Sequence, residues 1–105
     1  KEERFEFRQG KGHYYVPMGD IVYFGSEGRK VKIITLNETY EFYGRLKEVA
    51  KLLSDDFIAI HKSYIVNREY VFRYTYEIVE MIDGTILTIS LPNRKLVRDK
   101  LLGEK

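Results

Sequence analysis

The sequence contains no cysteine, and this absence limits both its chemistry and its cellular setting. A disulfide framework, a thiolate metal site and a cysteine nucleophile are all excluded. The absence also fits a reducing compartment, so we expect a cytoplasmic protein.

Long apolar runs are missing too. Stretches such as Ile33-Ile34 and Ile86-Leu87 are far shorter than the roughly 18 to 20 residues of a membrane span, and we expect no membrane partner.

A large excess of charge of one sign is also lacking. The 105 residues carry a net charge of only +2, so the clustering of basic residues says more about a nucleic-acid partner than their sum. The length fits one domain with its own core. Because the chain begins Lys-Glu-Glu-Arg, without an initiator methionine or an apolar signal core, we expect a piece of a longer protein. We expect residues 1–13 to be a flexible lead-in or linker remnant and residues 14–103 to form the domain.

Residues that favour β-strands dominate the chain. Nine Tyr and six Phe, with many Val and Ile, suit pleated and half-buried surfaces. Turn-forming residues such as Pro17, Gly19 and Asn37 separate these stretches. The predicted strands cover residues 13–24 in two pieces, 31–36, 40–43, 57–60, 65–66 and 70–72. The pattern predicts a mostly β fold.

Two segments change to a helical period. Between residues 44 and 54, apolar side chains recur at positions i, i+3, i+4 and i+7 and so share one face of a short amphipathic helix. These side chains are Leu46, Val49, Ala50 and Leu53. After residues 91–93 a C-terminal helix would end at Gly103. Its shared face would carry Leu96, Val97, Lys100 and Leu101.

Asp83-Gly84 is the clearest local turn signal. Both residues tolerate the positive φ of a two-residue type I′ hairpin loop, which predicts that Met81 faces Ile86 and Ile78 faces Ile89. In that register both faces of the hairpin carry apolar residues. A hairpin covered on both sides predicts stacked layers.

Enzyme motifs are nearly absent. Gly10-Lys11-Gly12 lacks the strand-and-helix context of a nucleotide fingerprint. His61 and Ser63, with the two aspartates at 55 and 56, are the residue types of a base, a nucleophile and an orienting group. However, residues 61 and 63 of a strand merely share a face, and nothing supplies an oxyanion hole. We predict no catalysis and no cofactor, and interpret His13 and His61 as packing or hydrogen-bonding residues.

The segment from Phe57 to Asn67 carries the most specific pattern, a phenylalanine followed by His-Lys-Ser-Tyr-Ile-Val-Asn. This string closely resembles the central signature of LytTR DNA-binding domains. The flanking segments are similar to the same family, and the resemblance extends over residues 14–102. They are Asp20-Ile21-Val22-Tyr23-Phe24, Arg29-Lys30-Val31, Tyr43-Gly44-Arg45-Leu46-Lys47-Glu48, and Asp83-Gly84 with Ile89-Ser90.

The resemblance implies a fold and a function. The fold would be an elongated β-β-β sandwich of stacked antiparallel sheets with one short helix and the C-terminal helix. The function would be sequence-specific binding of double-stranded DNA, as the output domain of a bacterial transcriptional response regulator. Basic loops would enter successive grooves of direct-repeat promoter sites, a receiver domain would lie upstream, and two copies would form a homodimer on the DNA.

Three contact regions carry over from the family. They are Arg29-Lys30, Lys62 with Ser63, and Asn93-Arg94-Lys95. In the third region the family commonly has a basic residue directly after the serine, whereas here Leu91-Pro92-Asn93 follows Ser90. Which of residues 93–95 contacts a base therefore stays open.

Side-chain chemistry suggests a division of labour. A guanidinium can bond bidentately to guanine, so Arg29 and Arg94 are the candidate base-reading residues. Lys30 and Lys95 would bind phosphates, and Lys62 would do either or enter a minor groove. Ser63 and Ser90 would donate to phosphates or bond to the backbone. We interpret Tyr64, Ile65 and Val66 as core residues and Asn67 as a turn residue.

Two other functions compete with DNA binding. A β-rich protein-interaction or dimerisation module would suit the low net charge and the many tyrosines. A single-strand nucleic-acid binder would use exposed tyrosines as stacking platforms. The DNA-binding hypothesis requires that Arg29, Lys62 and Arg94 lie at one edge of the layered sheets.

Overall fold

The computed structural model of the protein describes residues 3–103, in which ten strands form three antiparallel sheets. The strands are β1 (Arg4–Gln9), β2 (Gly12–Pro17), β3 (Ile21–Glu27), β4 (Lys30–Thr35), β5 (Thr39–Tyr43), β6 (Phe57–His61), β7 (Tyr64–Asn67), β8 (Val71–Tyr74), β9 (Ile78–Met81) and β10 (Ile86–Thr88). The helices are α1 (Leu46–Ala50) and α2 (Arg94–Leu102). Short 3-10 turns at Met18–Asp20, Arg68–Tyr70 and Leu91–Asn93 connect elements.

The sheets stack in three layers. A five-stranded sheet of order β5-β4-β3-β7-β6 lies in the middle, with the β1-β2 pair on one face and the β10-β9-β8 sheet on the other. Strand β3 serves both cores: Phe24 packs toward β1-β2, and Val22 packs toward β8–β10, because a bulge between Ile21 and Tyr23 interrupts the strand alternation. Helix α1 covers the first core through Leu46 and Val49, and α2 covers the second through Val97. The predicted mostly β sandwich with two helices is confirmed.

The expectation of a flexible lead-in is wrong for residues 4–13. Residues 4–9 pair with β2 along their whole length, and Phe5 and Phe7 are buried in the first core. The phenylalanines alternate with Arg4, Glu6 and Arg8, which are exposed. This alternation is the period of a half-buried strand, and it was the signal that the charged first residues obscured.

The register predicted for the last hairpin is wrong by one residue. Ile86 pairs with Glu80, and Met81 N–H donates to the Thr85 carbonyl at 2.8 Å. The loop therefore has three residues and ends in Gly84 at φ +92°, a common alternative to the two-residue turn. Consequently one face alone is buried, with Val79, Met81, Leu87 and Ile89 in the core. Ile82 and Ile86 point to solvent.

Several local predictions are confirmed. Several elements form where the sequence indicates. They are the strands on either side of the 3-10 turn at residues 18–20, the β4–β5 hairpin and both helices. Ile65 and Val66 are buried, and Tyr64 packs against the second core. Leu96 and Ala50, by contrast, are exposed on their helices. Within residues 3–103 no helix has the length and apolarity needed to cross a membrane.

Candidate nucleic-acid interface

The strand register brings separate turns to one end of the five-stranded sheet. At this end β3 and β4 are joined by Gly28-Arg29, and β6 and β7 by Lys62-Ser63. The two hairpins lie side by side, because Ser26 N–H donates to the Ser63 carbonyl at 2.9 Å. Gly44 N–H, just after β5, donates to the Arg29 carbonyl at 3.1 Å. We call this the basic end, and it includes residues 28–30, 43–47, 62–63 and 90–95.

The third predicted region, residues 93–95, is held at the basic end by hydrogen bonds to β6. Ser90 N–H donates to the Ile60 carbonyl at 2.9 Å, and Asn93 Nδ2 donates to the Ala59 carbonyl at 3.0 Å. These bonds place Arg94 and Lys95, the first residues of α2, beside the last residues of β6. The positive pole of the α2 N-terminus adds to their charge. The β3–β4 and β6–β7 turns are centred two strand spacings apart, which is about 10 Å.

The opposite end of the same sheet is acidic. Carboxylates precede β3 and β6, follow β7 and occupy the β4–β5 turn. They are Asp20, Glu38, Asp55, Asp56 and Glu69. Each lies outside the strands at the end away from Arg29 and Lys62. The small net charge of +2 thus hides a strong separation of charge along the sheet.

Arg29 projects from a tight turn that its neighbour makes possible. Glu27 pairs with Lys30, so Gly28 and Arg29 form a two-residue loop. Gly28 has φ +63°, the positive value that a type II′ hairpin turn requires at its first central position. Arg29 itself is exposed. The loop therefore presents a guanidinium at the tip of a rigid hairpin.

His61 shapes the turn that presents Lys62. Ser63 N–H donates to His61 Nδ1 at 3.0 Å, and the imidazole packs against the Tyr64 ring at 5.3 Å between centroids. This confirms His61 as a hydrogen-bonding and packing residue. At the other end of β7, Asn67 Oδ1 accepts from Glu69 N–H and its Nδ2 donates to the Ile21 carbonyl, so the predicted turn role of Asn67 is confirmed. The signature residues hold the strands, and Lys62 is left exposed between them.

Lys30 is held by an internal partner. Its ammonium bonds to Glu41 Oε2 at 3.0 Å and lies 5.1 Å from the centroid of the Tyr43 ring. The hydrogen bond and charge of Glu41 raise the pKa of Lys30 above its ordinary value. Lys32 is held in the same way by Glu27 at 2.7 Å. A phosphate contact by Lys30 must therefore share the ammonium with an existing ion pair.

Asn93 and Ser90 fasten the third region to the sheet. Ser90 Oγ donates to Asn93 Oδ1 at 2.7 Å, while the Asn93 amide donates to β6. Both side chains are engaged within the fold. Arg94 is half-buried and its Nε donates to the Ile89 carbonyl at 3.4 Å, while Lys95 is exposed. In residues 3–103, no carboxylate forms an ion pair with Arg29, Lys62, Arg94 or Lys95.

A groove joins the second and third regions. It has a volume of about 570 Å³ and runs between α1 and the loop at residues 90–93. Apolar side chains such as Leu46 and Pro92 line it, and Lys47 and Lys62 are its cationic members. Lys47 and Arg45 also lie at the basic end, although they are not among the candidate residues predicted from the sequence. Both residues closely follow Gly44, and the backbone bond from Gly44 to Arg29 places them beside the β3–β4 turn.

Comparison with known proteins identifies the family of this chain. The family model described as the LytTr DNA-binding domain matches residues 11–102. The sensory transduction protein LytT of Bacillus subtilis is 34% identical over 88 residues, which are 77% of this chain and 36% of that protein. Accessory gene regulator protein A of Staphylococcus aureus is 37% identical over 71 residues, 66% of this chain and 29% of that protein. The chain spans about a third of the length of these relatives.

A solved structure shows the same fold. The LytTr DNA-binding domain of a methyl-accepting/DNA response regulator from Bacillus cereus superposes with a TM-score of 0.82 at 24% identity. The match covers 99% of this chain and 100% of that one. Since the family model also matches nearly the whole sequence, the chain belongs to the LytTR DNA-binding domain family.

Proposed function

We propose that this chain binds double-stranded DNA in a sequence-specific manner, as the output domain of a bacterial transcriptional response regulator. The observation that carries the proposal is the meeting of three cationic regions at the basic end, with acidic side chains at the opposite end. Cations at turn tips neutralise phosphates and release counterions. Turns on a rigid sheet edge can enter grooves without a recognition helix.

The proposal assigns roles within the basic end. Arg29 and Arg94 read bases, because a guanidinium can bond two acceptors of guanine at once. Lys62 and Lys95 bind phosphates, and Ser63 donates to a phosphate from the turn that carries Lys62. Lys30 contributes to phosphate binding while it stays bonded to Glu41, because an ammonium has three N–H donors. Asn93 holds its loop in place, so its contribution to binding is indirect.

The wider setting is part of the same proposal. Relatives of which the match covers only about a third support an upstream receiver domain. Two copies would occupy direct repeats spaced about one helical turn apart, so that both lie on the same side of the duplex. The protein would act in the cytoplasm, without a cofactor and without catalysis. Residues 14–103, extended by the strand β1, would be the DNA-binding unit.

Binding of selected duplexes tests the proposal. Sites are first selected from a random duplex pool, and affinities for the best site and for a scrambled one are then measured by fluorescence anisotropy. Arg29→Ala and Arg94→Ala should each lower affinity for the selected site by roughly 1–3 kcal/mol and relax sequence preference. Arg73→Ala is the matched control, because Arg73 pairs with Glu80 on the outer face of β8–β10.

Salt dependence and strand competition separate the alternatives. The logarithm of DNA affinity should fall steeply with the logarithm of salt concentration, by about 0.9 for each phosphate neutralised. A protein-interaction module would select no duplex. A single-strand binder would release the duplex to an equal concentration of single strand. Unchanged affinity and preference in both arginine variants would contradict the proposal.

A further inference from the structure

Tyr43 lies at the basic end, next to the residue proposed to read bases. It is the last residue of β5 and pairs with Lys30 across the sheet. The following residue, Gly44, bonds to the Arg29 backbone. Tyr43 is therefore fixed one strand spacing, about 5 Å, from Lys30, the residue that follows the β3–β4 turn.

The Tyr43 ring is the most exposed large apolar side chain in the described part of the chain, at 75%. Its neighbours Tyr40 and Phe42 pack against the first core, and strand alternation turns Tyr43 to the other face. That face is not covered at this point by the β8–β10 sheet. Packing therefore gives no reason for an aromatic ring here.

Exposure alone does not identify a tyrosine as a DNA contact. Tyr15, which is also exposed, shows what else is needed. Tyr15 is 51% exposed and carries the guanidinium of Arg4 at 5.4 Å from its ring centroid. It thus resembles Tyr43 in exposure and in having a cation beside the ring. However, Tyr15 lines a depression with Asp20 and Glu38, at the acidic end. Only Tyr43 of this pair faces the surface proposed to meet DNA.

The surroundings of the ring favour a phosphate contact over base stacking. The Lys30 ammonium occupies one ring face, and Glu41 holds that ammonium in place. A base cannot stack on the face that the ammonium covers. The phenol hydroxyl remains at the solvent edge, and tyrosine hydroxyls are established donors to phosphate oxygens.

We propose that Tyr43 is a DNA-contact residue whose hydroxyl donates a hydrogen bond to a backbone phosphate, with Lys30 and Glu41 holding the ring in position. The proposal rests on the DNA-binding function proposed above. It adds a phenol hydroxyl to a set that otherwise consists of cations and the Ser63 hydroxyl. It also gives the Lys30–Glu41 pair a positioning role at the interface.

Tyr43→Phe is the decisive variant, because it removes the hydroxyl and keeps the ring beside Lys30. It should weaken binding roughly 10-fold on the selected and on the scrambled duplex alike, since a phosphate contact carries no sequence information. The salt dependence should not change, because no charge is removed. Tyr15→Phe, the matched control, should bind like the unmodified chain, and both variants should keep its melting temperature.

A modified duplex locates the contact. Methylphosphonate substitution, one phosphate at a time, should reveal a position at which Tyr43→Phe causes no further loss. The proposed hydroxyl contact is wrong if Tyr43→Phe binds duplex like the unmodified chain. It is also wrong if affinity falls only when the whole ring is removed by Tyr43→Ala. Failure of the unmodified chain to bind duplex would instead overturn the underlying DNA-binding function, so the two failures are distinguishable.

Discussion

Replacing Phe5 by alanine should strongly destabilise the domain. The ring is 3% exposed and packs edge-on against Phe24 at 5.1 Å between centroids. It also contacts the rings of Phe7 and Phe42. Truncating a buried phenylalanine to alanine costs about 3–5 kcal/mol, from lost transfer free energy and the cavity left behind. Total stabilities of about 5–15 kcal/mol are usual, so the variant should lose a large share of its stability.

Urea denaturation followed by far-UV circular dichroism measures this effect. The midpoint should fall while the denaturant dependence stays constant, as expected for a change in stability alone. Glu6→Ala is the matched control, since Glu6 lies between Phe5 and Phe7 on the exposed face of β1. It should change stability by less than about 0.5 kcal/mol. A loss below about 1 kcal/mol for Phe5→Ala would show that β1 does not belong to the core.

Three further perturbations follow from single contacts. Asn67→Ala should lower the free energy of unfolding by about 1–3 kcal/mol in the same urea assay, because it leaves the Ile21 carbonyl without its buried donor. Glu41→Gln should raise affinity for any duplex and steepen the salt dependence by about 0.9, because the new amide oxygen still accepts a hydrogen bond from Lys30 but no longer neutralises its charge; an unchanged slope would count against this. Burial raises the pKa of Tyr23, so the contribution of Tyr23 to stability should be constant below the ordinary tyrosine pKa and be lost as pH rises above it. Tyr23→Phe should flatten part of that alkaline fall in thermal melts, and an identical pH profile would refute the assignment.

The layered fold could be predicted from the sequence because its local signals agree. Strand-favouring residues, turn formers and two helical stretches all indicate the elements that form. The resemblance around His61 and Asn67 supplied the topology, which short strands do not specify by themselves. The structure explains the signature physically, since His61 closes the β6–β7 turn and Asn67 ties β7 to β3.

The wrong expectations have separate physical causes. The register at Gly84 depended on loop length, and a three-residue loop uses the same Asp-Gly pair as a two-residue one. The first strand was missed because its alternation of phenylalanine with charge was short and lay at the chain end. The engagement of Lys30 by Glu41 and of Asn93 by Ser90 depends on tertiary contacts, so the sequence could not show which candidate side chains are already bonded.

The central claim is that DNA meets the basic end of the five-stranded sheet. Titration of the 15N-labelled chain with a selected duplex, followed through backbone amide chemical shifts, tests it most directly. The largest shift changes should fall on residues 28–30, 43–47, 62–63 and 90–95, and the acidic turns at residues 37–38, 55–56 and 69 should stay nearly unchanged. Changes centred on those acidic turns, or on the outer face of β8–β10, would contradict the account.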